Sequence, residues 1–282
     1  MIDQPSVLIE VRDGVATVTL NRPEKRNAFD PKMIGELTIA FERLEQDPSV
    51  QVAVLQGSGK AFSAGADINY MQDMVKYSLD ENIADAMKLA RMFRALHDFS
   101  KPLIGFVHGA ALGGGAGLVA LCDYVLADKD TKLGFTEILL GLRPSTISPY
   151  VMERIGTENA LNYFSSGKMF MAEEARRIGL VDEETAPETA AMRLADAVHI
   201  AQSSGKDALR GMRPGTQENV AWDGTHDAGV VALVKGVEAR RGGAADALME
   251  FTARDIAEAR VSDVGQQKTR AYIEKQMHTV TR

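Results

Sequence analysis

The stretch of residues 101–149, KPLIGFVHGAALGGGAGLVALCDYVLADKDTKLGFTEILLGLRPSTISP, limits what this chain can fold into more than any other. Its apolar run 103–107, after Lys101-Pro102, has the length and composition of a buried strand. A turn of small residues, 108–115, leads into a second apolar segment, 116–121. Three consecutive glycines at a strand-to-helix turn cost backbone entropy on folding, so they are expected where a backbone N–H must approach another group closely. N–H groups exposed at a helix N-terminus attract negative charge, which makes such a unit a ready place to stabilise an oxyanion. Further on, Glu137 puts a single carboxylate in a run that ends Ile-Leu-Leu-Gly. A lone acid there is either solvated at a strand end or a working residue with a raised pKa.

Around this centre the chain alternates strand and helix signals. Residues 7–11 and 15–20 are β-rich runs joined through Asp13-Gly14, a hairpin signal. After a charged loop at 24–29, Asp30-Pro31 reads as a helix N-cap followed by an N1 proline. Met33, Leu37, Phe41 and Leu44 then recur at helical spacing to about residue 45. A buried strand is expected at 50–55, and residues 61–68 form a second turn rich in small residues. Two turns that each follow a strand and free one N–H could, if adjacent, aim both at one oxygen. Ser78 and Glu81 make a capping box for an amphipathic helix. Short helices are expected at 148–155 and 157–164, split at Gly156, then 172–178 stopped by Gly179, and a last strand at 180–181. From residue 188 only helical patterns follow, including 251–260 and 264–275, although 205–243 is unusually rich in glycine and polar residues. The expected class is α/β, with a core over 1–200 and a helical region over 201–282.

Composition excludes several chemistries. The net charge of −7 argues against nucleic acid or an anionic membrane as principal partner. Cys122, the one cysteine, lies in an apolar run and reads as a buried, inert thiol in a reducing compartment. The first residues lack the basic flank and long apolar core of a signal peptide, and no stretch has the roughly 18 apolar residues of a membrane span, so a soluble cytoplasmic chain is expected. The five histidines show no metal-ligand spacing, and His108 reads as structural. Met71, Met74, Met87 and Met92 read as core filler. Lys25 and Arg26 are either a solvated charge pair or an anion contact.

Taken together, residues 60–68 (KAFSAGADI), 109–115 (GAALGGG) and 137–142 (EILLGL) resemble the crotonase (enoyl-CoA hydratase/isomerase) superfamily. Asn21-Arg22-Pro23 with Asn27-Ala28 is similar to its N-terminal signature. The likeness runs in order from about residue 6 to 185. Residues 141–151 with Ile155-Gly156, and 252–262, are similar in particular to bacterial methylglutaconyl-CoA hydratases.

The resemblance implies a spiral of ββα units and homotrimers or homohexamers built through the helical tail. The substrate would be an acyl-CoA thioester, with coenzyme A part of that substrate and no separate cofactor. It places the thioester oxygen on the N–H groups of Ala66 and Gly114, with Glu137 as the acid–base residue. It sets the adenine along residues 64–68, with Ala64, Asp67 and Ile68 as contacts, and Lys25 or Arg26 near the phosphates, and it counts Ala28 and Gly113 among the substrate-binding residues. Family hydratases carry a second glutamate, which falls here on Gly117. That glycine either opens space and removes a charge beside the thioester, or permits tight helix packing. The implied activity is reversible hydration of a 2-enoyl-CoA. The alternatives are double-bond isomerisation and a catalytically idle binding protein.

Overall fold

The computed structural model describes residues 4–212 and 226–280. β1 (Val7–Arg12) and β2 (Val15–Leu20) form the expected antiparallel hairpin. Asp13 and Gly14 both have positive φ, as a two-residue turn of matching twist requires. Along β2 the alternation is strict, with Ala16, Val18 and Leu20 in the core. Asp30 caps α1 (Pro31–Gln46) by accepting the Met33 N–H at 2.8 Å, and Met33, Leu37, Phe41 and Leu44 are buried along it. β3 (Val52–Gly57) starts two residues later than the apolar run, because Val50 is buried ahead of the ladder with β2. α2 (Ile68–Met74) is too short to show a period in the sequence and was not anticipated. α3 (Leu79–His97) opens on the Ser78–Glu81 capping box.

The middle of the chain then repeats itself. β4 (Leu103–Val107), β5 (Ala110–Leu112) and α4 (Gly114–Leu121) make one ββα unit. β6 (Tyr124–Asp128), β7 (Lys132–Gly134) and a 3-10 turn at Glu137–Leu140 make the next. After α5 (Ser148–Ile155) and α6 (Thr157–Ser166), divided at Gly156 as expected, come β8 (Phe170–Met171), α7 (Ala172–Arg177) and β9 (Glu183–Thr185). One sheet has the order β1-β2-β3-β4-β6-β9, parallel except at its hairpin edge. The second has the order β5-β7-β8. Each unit thus gives one strand to each sheet before its helix. The second sheet escaped the sequence reading because its strands span two or three residues. The strand expected at 180–181 lies at β9 instead: Leu180 and Val181 are apolar because they are fully buried, not because they pair.

Among the described residues only helices follow β9: α8 (Pro187–Gly211), α9 (Ala228–Glu238), α10 (Ala245–Val261) and α11 (Asp263–Val280). The boundary expected at residue 200 falls inside α8, which breaks its helical backbone at Gly205 and packs on β3, β4, β6 and β9. Of the unmatched segment 205–243, residues 213–225 lie outside the described residues. α10 packs along α3, and α11 meets α2 and the Glu137–Leu140 turn. The tail therefore folds over the core of its own chain.

Gly117 resolves one of the two readings offered for it. A Cβ there would lie 2.3 Å from Ile147 Cγ2, 2.9 Å from Ile147 Cβ and 3.2 Å from Phe93 Cε1. The absent side chain opens no space for substrate; Ile147 fills it, and the assignment of Gly117 to substrate binding is corrected to helix packing. Since the clash reaches the Cβ of a buried β-branched residue, Gly117→Ala is expected to destabilise by about 1–3 kcal/mol through overpacking. That is despite a gain of up to about 1 kcal/mol in helix propensity. Urea unfolding checks this, and an unchanged or higher midpoint would show that Ile147 and Phe93 can move aside.

Candidate active site

Three extended segments meet between the sheets and bring the two small-residue turns together. Phe29 N–H donates to Gly65 O at 2.7 Å, and Asp67 N–H donates to Phe29 O at 2.8 Å. On the other side, Ser63 N–H donates to Ala110 O and Leu112 N–H to Ser63 O, both at 3.0 Å. Contact between the turns is direct: a Cβ on Gly115 would lie 2.7 Å from Ser63 O, and one on Gly114 would lie 2.6 Å from the Phe29 ring. No side chain larger than hydrogen fits there, which is the close approach that the triple glycine anticipated. In a strand pairing of this kind alternate N–H groups point away from the partner, and the Ala66 N–H is one of them. Gly114 is the first residue of α4, where an N–H has no partner within the helix. Among the described residues neither N–H donates a hydrogen bond.

Ala66 and Gly114 both line a cavity of about 340 Å³ that Glu137 also lines. The Glu137 carboxylate rests against Gly113, where a Cβ would lie 3.1 Å from Oε1. Gly113 has φ 52, so the backbone conformation and the carboxylate both favour glycine at this position. Glu137 Oε2 is buried without a hydrogen-bond partner. Burial away from water pushes the carboxyl up to about 7, with its own backbone amide pulling weakly the other way. No counter-charge contributes. The solvated reading of Glu137 is therefore set aside: this is a desolvated acid titrating near neutrality.

Of the residues singled out from the sequence, Glu137, Ala66, Gly114, Gly113 and Ala64 line the cavity. Lys25, Arg26, Ala28, Asp67, Ile68 and Gly117 do not. Lys25 and Arg26 are exposed, and the Arg26 carbonyl accepts the Ala64 N–H at 2.9 Å, so the pair flanks the second turn. Asp67 is buried and engaged elsewhere: Oδ1 caps α2 through the Asn69 N–H, and Oδ2 accepts Arg22 Nη2 at 2.9 Å. Its side chain is thus occupied in holding the turn. The loop at 24–29 is less solvated than its charges suggested, because Asn27 is fully buried and donates to Ser58 O and Ala61 O.

Other cavity residues were missed or read differently. Met71 and Met74 are buried, but they also line the cavity. Arg260, from α10, reaches the same cavity in a network with Asp85 and Tyr70, which lie far apart from it in sequence. The only sequence signal for that network was the helical spacing of α3. His108 is structural, with Nε2 2.9 Å from Gly59 O, and no group of metal-ligating side chains occurs among the described residues. A second cleft of about 330 Å³ is lined by Arg94, His97, Glu153 and Arg240. Its ionisable groups meet partners such as Asp98 and the Phe251 ring, so it offers nothing comparable to Glu137.

Comparison with known proteins agrees with this geometry. The family model described as enoyl-CoA hydratase/isomerase matches residues 10–213. A crotonyl-CoA hydratase of Syntrophomonas wolfei is 31% identical over 220 residues, 77% of this chain and 84% of that protein. A 2,3-dehydroadipyl-CoA hydratase of Escherichia coli is 33% identical over 178 residues, 63% of this chain and 68% of that protein. The crystal structure of an enoyl-CoA hydratase from Shewanella pealeana superposes with a TM-score of 0.67 at 31% identity, covering 96% of this chain and 94% of that one. With the matched region holding both turns and Glu137, the chain belongs to the enoyl-CoA hydratase/isomerase, or crotonase, family.

Proposed function

We propose that this protein catalyses the reversible hydration of a 2-enoyl-CoA thioester. The observation that carries this is Glu137, a desolvated acid whose Oε2 is buried with no partner, set against Gly113 in the same cavity as two residues with unengaged N–H groups. In this reading the thioester oxygen accepts from the Ala66 and Gly114 N–H groups, which lower the energy of the enolate-like transition state. Glu137 takes a proton from water while the water oxygen bonds to the β-carbon. The π electrons of the double bond move toward the thioester oxygen. The protonated Glu137 then returns a proton to the α-carbon, giving the 3-hydroxyacyl-CoA. One carboxylate can do both jobs because a pKa of about 7 leaves either form accessible at neutral pH.

Beyond the cavity, the proposal sets Lys25 and Arg26 near the CoA phosphates, supported by their exposure beside the second turn. Branched or carboxylated acyl groups such as 3-methylglutaconyl, assembly as a homotrimer or homohexamer, and a cytoplasmic location rest on the resemblance of the sequence motifs. Among the described residues no helix is long and apolar enough to cross a membrane. Double-bond isomerisation is the second reading, favoured by the single acid, since shuttling a proton between two carbons needs only one. Turnover in ¹⁸O-labelled water separates them, because hydration puts label into the product hydroxyl and isomerisation does not.

Glu137→Gln is expected to lower kcat by roughly 10²–10⁴, the usual worth of general acid–base catalysis, while acyl-CoA binding changes little. Stopped-assay turnover and calorimetry measure the two, and a variant keeping most of the rate would remove Glu137 from the mechanism. The wild-type kcat/KM for hydration is expected to rise with pH through about 7, because the free enzyme must hold Glu137 ionised. The same group has the opposite effect on stability. Its folded pKa is above its ordinary value of 4.5, so the folded state holds the proton more tightly and loses stability as pH rises from there through 7. That loss is about 1–3 kcal/mol. Glu137→Gln is therefore expected to raise the melting temperature more at pH 8 than at pH 4.5. Equal gains at both would mean the carboxyl is not desolvated.

A further inference from the structure

The cavity wall built by α2, α3, α10 and α11 is mostly apolar and carries one charge. Tyr70, Leu89 and Ile256 belong to it, but so does Arg260, and among the described residues Arg260 and Glu137 are the only charged ones lining the cavity. Arg260 is 8% exposed and only one edge of its guanidinium is engaged. Nη1 donates to Asp85 Oδ2 at 2.9 Å and to Asn82 Oδ1 at 3.5 Å. Tyr70 donates its hydroxyl to the same carboxylate at 2.6 Å, so Asp85 divides its charge between two donors. Nε is buried with no partner, and Nη2 makes no hydrogen bond among the described residues. Buried donors are normally satisfied, and one left open calls for an explanation.

Nε has no accessible surface, so the donor left for a ligand is Nη2, which can give a carboxylate one charge-assisted N–H···O bond. A cavity made only for hydrocarbon chains would gain from an aliphatic residue at this position, with no ion to desolvate. With one acid in the cavity instead of two, an incoming carboxylate meets one positive and one negative group. We propose that Arg260 is a specificity-determining residue for an acyl-CoA whose acyl chain ends in a carboxylate. Asp85 and Tyr70 are its positioning residues: Tyr70 holds Asp85, and Asp85 holds Nη1, which fixes the guanidinium at the cavity wall with Nη2 unengaged. This rests on the cavity being the acyl site.

The test uses saturated esters, which bind without turning over. Calorimetry compares glutaryl-CoA with pentanoyl-CoA, which has the same chain length and no terminal charge. The wild-type protein is expected to bind glutaryl-CoA roughly 10- to 100-fold more tightly, the range of a charge-assisted hydrogen bond. In Arg260→Met/Asp85→Asn, which removes both ions and leaves neither buried alone, the ratio is expected to fall to one or below. Arg260→Lys keeps the charge but cannot hold Asp85 with one donor group while offering a second, separate one, and should retain a part of the preference. A wild-type ratio near one, or a preference that survives in the double variant, would overturn the proposal and leave Arg260 a structural residue. If the double variant does not fold, the wild-type ratio and Arg260→Lys still decide. Enoyl-CoA hydration by the wild-type protein is assayed separately, so loss of the carboxylate preference and loss of the hydratase reading are told apart.

Discussion

Everything in the site hangs on a small lattice of backbone hydrogen bonds linking Phe29, residues 63–67 and β5. Phe29 pairs with Gly65 and Asp67 on one side, and Ser63 pairs with Ala110 and Leu112 on the other. Ser63 Oγ adds a bond to Asn27 O at 2.9 Å, and Ala64 N–H one to Arg26 O. Two N–H groups from turns about fifty residues apart are thereby held by the same rigid pairing. Oxyanion donors are effective when they need no reorganisation as charge develops, and a paired backbone supplies that rigidity better than side chains would.

Glu137 gains its chemical character from what surrounds it rather than from a partner. Other buried acids in the chain are neutralised: Asp182 by Arg154, and Asp85 by Arg260. Glu137 has no such cation, and desolvation outweighs its own backbone amide in setting its proton affinity. The Ile147 side chain, filling the space beside Gly117, contributes to the apolar wall in place of a second acid. A single carboxylate with a pKa near neutrality follows from that apolar packing.

The C-terminal helices complete the cavity. α10 supplies Ile256 and Arg260, and α11 supplies Tyr272. They are tied to the loop after Glu137 by Arg143, which donates from Nε to Asp255 Oδ2 at 2.8 Å and from Nη2 to Asp255 O at 2.9 Å. The segment bearing the acid and the helix bearing the arginine are thus joined outside the cavity. A half-buried ion pair of this kind adds little net stability, and its contribution here is to hold one piece of chain in register with another.

Much of this was legible before any coordinates. Helical spacing placed α1 and α3, β-rich runs around Asp13-Gly14 placed the hairpin, and a continuous apolar run placed β4. The glycine run and the lone acid marked the two halves of the site, because such residues are costly where they have no use. The three-residue strands of the second sheet and α2 were not legible, since they are too short to show a period. Nor was the fate of Gly117 or Asp67, where an absent or available side chain looks the same in sequence whether it faces ligand or neighbour. The sequence by itself determined the local elements, the glycine-rich turn and the presence of a lone acid, all of which depend on residues near one another in the chain. Only the tertiary structure decided that two turns share one cavity, that Ile147 occupies the space beside Gly117, and that Arg260 reaches the same wall as Glu137. Those are matters of packing between distant segments, and the physical reason is that desolvation and steric exclusion depend on what surrounds a residue in space.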